Sequence, residues 1–101
     1  MKLLTKELLE KLPTRYAMEN QKDPLVWVRF FYPDASWTWY GIAFDGADIF
    51  FGLVDGHEQE LGDFSLKELQ ESRPGRFHLP IERDRYFEPR PLSVLQKEIE
   101  R

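Results

Sequence analysis

Six carboxylates lie between positions 45 and 63: Asp45, Asp48, Asp55, Glu58, Glu60 and Asp63. Such a density could serve acid–base chemistry, metal binding or the docking of a basic partner. Acid–base work needs two carboxyl groups placed around a substrate with their pKa values pushed apart. Asp45, Asp48 and Asp55 instead sit in or beside Asp-Gly turns, where an aspartate bonds its own backbone, and turn chemistry alone accounts for Asp45 and Asp55. A metal site would need the two histidines, His57 and His78, joined to some of these acids. Twenty residues separate them, and neither HExxH nor another ligand spacing is present. There is no cysteine, which excludes thiol catalysis, a disulfide scaffold and cysteine-ligated zinc. A Gly-rich phosphate loop, GxSxG and a nucleophile paired with a base are also missing. The residues therefore predict a protein that is not an enzyme and has no cofactor and no metal.

What remains for the carboxylates is their charge. From 41 to 72 the chain carries eight acidic side chains and one cation, Lys67. The plain reading is a solvated edge and helix surface. The functional reading is a docking face for a basic partner, with Asp45, Asp48, Asp55, Glu58, Glu60 and Asp63 as the partner-binding residues, able to occupy a partner's groove built for phosphates. Arg73, Arg76, Arg83, Arg85 and Arg90 form an opposite pole, with Glu82, Asp84 and Glu88 close enough to neutralise much of it. Trp37, Trp39 and Tyr40 could form a stacking platform for single-stranded nucleic acid, but such platforms interleave aromatics with cations. Lys and Arg are missing from Phe30 through Leu66, and the net charge is −4, so direct nucleic-acid binding is not expected. The aromatics read as core, with an interface patch.

Local signals place these residues on an α+β fold. Thr5 can cap an N-terminal helix that Pro13 closes near Leu12, with Leu8, Leu9 and Leu12 on one face. Leu25–Tyr32, Ser36–Phe44, Ile49–Val54 and His57–Asp63 read as four strands of an antiparallel meander. Two Asp-Gly pairs, at 45–46 and 55–56, mark tight turns whose positive φ angles Gly tolerates. Trp37, Trp39, Gly41 and Ala43 should share one face of the second strand, and Thr38, Tyr40, Ile42 and Phe44 the other. Gly52 suggests a bulge or close packing against Trp37 or Trp39. The acids of the fourth strand mark it as an edge, where charge discourages pairing with another chain.

Ser65 and Glu68 form a capping box, with Phe64 stapled onto Leu69, so a short helix follows the fourth strand and ends near Ser72. The stretch 76–91, with Pro80, Pro89 and Pro91, reads as an extended arm with a short strand near Arg85–Phe87. Ser93 and Gln96 suggest a second capping box opening a C-terminal helix that buries Leu92, Leu95 and Ile99.

At 101 residues and 42% hydrophobic composition, the chain can bury one core without staples, so a single domain over 1–101 is expected. Met-Lys-Leu-Leu-Thr-Lys lacks the apolar stretch of a signal peptide, and no run approaches the ~20 residues needed to span a bilayer. A soluble, cytoplasmic protein without membrane contact is expected.

Several motifs carry a resemblance. Met-Lys-Leu-Leu-Thr-Lys-Glu-Leu-Leu-Glu-Lys-Leu-Pro at the start, Trp-Thr-Trp-Tyr at 37–40, Phe-Asp-Gly at 44–46 and Phe-Phe-Gly-Leu-Val at 50–54 are part of it. Gly-His-Glu-Gln-Glu-Leu-Gly at 56–62, Phe-Ser-Leu-Lys-Glu-Leu at 64–69 and Leu-Pro-Ile-Glu-Arg-Asp at 79–84 complete it. In order, and over nearly the whole chain, they resemble a family of small single-domain proteins of unknown function carried on plasmids, integrative elements and phages. That family includes a group of type II-A anti-CRISPR proteins. The resemblance implies binding to Cas9, or to its guide-loaded complex, in the bacterial host cell, and inhibition through protein–protein contacts. It implies no particular contact residues. The alternative is a nucleic-acid-binding accessory protein of mobile elements that uses the Arg-rich arm at 83–90.

Overall fold

In the computed structural model, which describes residues 2–18 and 20–100, the local signals become elements in the order the sequence suggests, with long-range pairings added. Helix α1 (Lys6–Lys11) is capped by Thr5, whose hydroxyl oxygen accepts from the Leu8 N–H at 3.2 Å, and it stops at Leu12 ahead of Pro13. Leu12 is buried, but Leu9 is 45% exposed, and Leu3 fills the core in its place. A 3-10 turn at Tyr16–Met18 then buries Met18.

The first expected strand is broken into β1 (Leu25–Val26) and β2 (Val28–Phe31). Side chains two apart on a continuous strand share a face. Val26 and Val28 instead belong to different cores, and the break at Trp27, whose N–H donates to the Gly41 carbonyl at 2.9 Å, lets the chain change sides. Strands β3 (Thr38–Phe44), β4 (Ile49–Asp55) and β5 (Gln59–Ser65) follow, then α2 (Leu66–Glu71). The arm supplies β6 (Glu82–Arg83) and β7 (Arg90–Pro91), and α3 (Leu92–Glu98) is the last element.

The architecture is α+β. The expected four-stranded meander is present as β2 to β5, but the sheet has five strands, ordered β5-β4-β3-β2-β6 and antiparallel throughout. β6 adds beside β2, so the arm's strand is at Glu82–Arg83 rather than Arg85–Phe87. β7 pairs separately with β1.

One face of the sheet packs Phe30, Phe44, Phe50, Phe64 and Leu69 under α1 and α2; the other packs Tyr40, Ile42, Leu53, Leu92 and Leu95 under α3. Burying each of these large side chains contributes roughly 1.5–3 kcal/mol before the entropy of ordering them. A register shift between Gly41 and Ala43 breaks the strict alternation expected of β3. Ala43 joins the Tyr40 side, and Phe44 crosses to the Phe50 side, where the two rings meet at a tilt with centroids 4.5 Å apart. Gly52 lies opposite this bulge, where a β-carbon would strike the Tyr40 carbonyl oxygen rather than a tryptophan ring.

The second capping box does not form. Ser93 is inside α3, and its N–H and hydroxyl both donate to Asp23, at 2.9 and 2.6 Å. An acidic side chain 70 positions away thus satisfies the helix start.

Candidate functional site: the acidic β4–β5 hairpin

The turn into β4 is built by its first aspartate. Gly46 takes φ 88°, and Asp45 Oδ1 accepts from the N–H groups of Ala47 and Asp48 at 2.8 Å and of Ile49 at 3.0 Å. These bonds, the one from Ala47 foremost, hold its carboxyl below the ordinary aspartate value. Asp48 performs a similar service for the next junction. Its two oxygens accept from the Ser65 hydroxyl at 2.6 Å and the Lys67 N–H at 2.8 Å, while Ser65 Oγ accepts from the Glu68 N–H at 3.1 Å. The Ser65 bond is the main reason the Asp48 carboxyl is also held down. The capping serine is therefore itself oriented from the start of β4.

At the far end of the hairpin, Asp55 is buried, with 4% of its surface exposed, opposite a buried Thr38. Gly56 is not in the left-handed region that the Asp-Gly pattern suggested. The glycine is needed because the Trp37 ring lies where its β-carbon would be, and Trp37 in turn meets the His57 ring edge-on at 5.6 Å.

The six predicted partner-binding residues consequently divide. Asp45 and Asp48 precede β4 and Asp55 ends it, a span of roughly 20 Å at the rise of an antiparallel strand. Asp45, Asp48 and Asp55 are committed within the fold, so one face made of all six carboxylates does not assemble. Glu58, Glu60 and Asp63 stand exposed along β5 and its entering turn, and β5 is the edge strand that its charge predicted. Asp63 is met by Arg15, at 2.9 Å and 3.0 Å, and the same guanidinium lies 4.7 Å over the Phe51 ring. Leu61, between the acids, is 51% exposed. The sequence reading did not single out Leu61, although an apolar residue flanked by acids on an edge strand is the signal that could have found it.

The other constellations are geometrically dispersed. Tyr40 faces the α3 core, while Trp37 and Trp39 lie tilted against each other at 6.1 Å on the opposite side, so the three aromatics do not form one platform. In the arm, Arg83 donates to the Lys2 carbonyl at 2.7 Å, and Arg90 bridges Glu98 at 2.8 Å while lying 4.7 Å over Phe87. Arg85 is exposed. Among the described residues, no group of three histidines and acids could hold a metal ion. The polar cleft of about 540 Å³ that contains Thr38, Tyr40 and Asp55 also contains Arg29, which is paired with Asp84 at 3.3 Å. No helix of the described chain is long and apolar enough to cross a membrane.

Residues 3–101 match the family described as "Protein of unknown function (DUF2958)", and the chain belongs to that family. No curated protein and no solved structure matches it.

Proposed function

We propose that this family member acts by binding another protein, and that its partner is a Cas9-type nuclease, free or guide-loaded, whose activity it blocks without catalysis of its own. The observation that carries the protein-binding part is the exposed row Glu58, Glu60 and Leu61 along the sheet's edge and its entering turn. There the steering charge of two acids, unpaired among the described residues, flanks one apolar anchor, and Asp63 beyond it is paired with Arg15. The nuclease part rests on the sequence resemblance. Cas9 holds its guide–target duplex in a positively charged channel and reads the flanking motif with arginines, and both surfaces suit an acidic edge. A protein carried on phages and plasmids would meet this partner in the bacterial cytoplasm.

The test is titration into a cleavage reaction with guide-loaded Cas9 from several orthologues. Cleavage should fall as the protein approaches stoichiometric amounts for at least one of them. Full cleavage at large molar excess across all of them overturns the proposal.

A further inference from the structure

We infer that the outer edge of β5 is a docking site for an extended, basic segment of a partner protein, which joins the sheet as an added strand. The inference rests on the protein-binding reading above and specifies how that binding is made.

The backbone carries it. At the two ends of the β4–β5 pairing, the Leu66 N–H donates to the Asp48 carbonyl at 2.8 Å and the Gly56 N–H to the Glu58 carbonyl at 3.2 Å. The register between them runs from Ile49 opposite Ser65 to Asp55 opposite Gln59. Bonded and non-bonded pairs alternate in an antiparallel ladder. The bonded pairs are therefore Phe50 with Phe64, Gly52 with Gly62 and Val54 with Glu60. The N–H and C=O groups of Gln59, Leu61 and Asp63 point the other way, out of the sheet, and among the described residues no strand pairs beyond them.

The two edges of the sheet differ in kind. β6 is blunted, two residues long and preceded by Pro80, whereas β5 offers seven residues. Extended peptides use such an edge through main-chain bonds for affinity and alternating side chains for selectivity. Here Glu60 lies on one face and Leu61 on the other, beside an Asp63 already paired with Arg15, with Glu58 in the entering turn. The charge selects a basic occupant and opposes a second copy of the same strand. The segment that fits alternates lysine or arginine with an apolar residue set beside Leu61.

The probe is a seven-residue peptide alternating lysine and valine, with a glutamate-for-lysine version as control. Amide exchange is followed residue by residue in the full chain. At saturation the Gln59, Leu61 and Asp63 amides should exchange about tenfold more slowly, and the glutamate peptide should do nothing. Leu61→Pro removes an outward N–H without touching the β4 ladder, so the chain should fold and bind the peptide about tenfold more weakly. Absence of binding, or binding that leaves those three amides unprotected, overturns the inference, and this reading needs no variant. Failure of the wild-type protein to inhibit Cas9 while the peptide still docks overturns the nuclease proposal alone. Inhibition that survives in folded Leu61→Pro overturns the edge inference alone.

Discussion

Asp48 accepts a 2.6 Å hydrogen bond from the Ser65 hydroxyl with one oxygen and a 2.8 Å bond from the Lys67 N–H with the other, joining the start of β4 to the first turn of α2. Asp48→Ala removes both bonds and the acceptor that orients the helix cap. It should lower the thermal midpoint more than Glu58→Ala and Glu60→Ala together, by calorimetry. A midpoint within error of the wild type would mean that Asp48 is merely solvated.

The carboxyls of Asp23, Asp45 and Asp48 are all held below the usual 3.8, mainly by the Ser93 hydroxyl, the Ala47 N–H and the Ser65 hydroxyl respectively. A depressed folded-state pKa means that the unfolded chain binds more protons as the pH falls. The contribution is therefore complete above the unfolded value and disappears as pH drops through the folded values. Urea midpoints should be level above about pH 5 and fall steeply below about pH 4. In a chain with Asp23, Asp45 and Asp48 all changed to Asn, the fall should be shallower, and an unchanged slope contradicts the assignment.

Gly56 and Gly62 both flank the exposed acids yet should respond unequally to alanine. A methyl at Gly56 meets the Trp37 ring, while one at Gly62 has nothing within 4 Å. Gly56→Ala should cost about 1–3 kcal/mol by urea denaturation, through forced repacking of Trp37. Gly62→Ala should stay within about 0.5 kcal/mol of the wild type.

These aspartates and glycines also show how far the chain could be read. Signals confined to a few residues survived: the Thr5 and Ser65 caps, the Asp45-Gly46 turn and the charged edge strand. What escaped depends on partners distant in sequence. Two-residue strands such as β6 and β7 have no periodicity of their own and exist only because β2 and β1 lie beside them. The break at Trp27 and the bulge after Gly41 are settled by which core each side chain enters, so simple alternation misassigned Ala43 and Phe44. Composition likewise showed eight acids without showing that Asp48 and Asp55 are used internally. Asp23 gave no sign that it would serve the start of α3.

Tyr32 presents a buried hydroxyl without a hydrogen-bond partner among the described residues, beside an apolar hollow of about 410 Å³ lined by Trp37, Trp39 and Pro74. Burial, with a smaller push from Asp34, raises its pKa. Removing an unpaired hydroxyl relieves a desolvation penalty, so Tyr32→Phe should leave the melting midpoint unchanged or raise it. Gly75→Ala should lower it, because Gly75 holds φ 80° and a methyl there strikes the Tyr32 hydroxyl. A clear loss in Tyr32→Phe would show that the hydroxyl is bonded after all.

The exposed acids of β5 and its entering turn, and not the buried or capping ones, should meet the partner. The most direct test is inhibition of guide-loaded Cas9 by the wild-type protein and by the double variant Glu58→Lys, Glu60→Lys, at low and high salt. Both changed residues are exposed, so the fold should persist, and circular dichroism checks it. Inhibition by the wild type should weaken with salt, and the double variant should lose about tenfold or more of it. Equal inhibition by the two proteins at both salt concentrations would contradict that role for these acids.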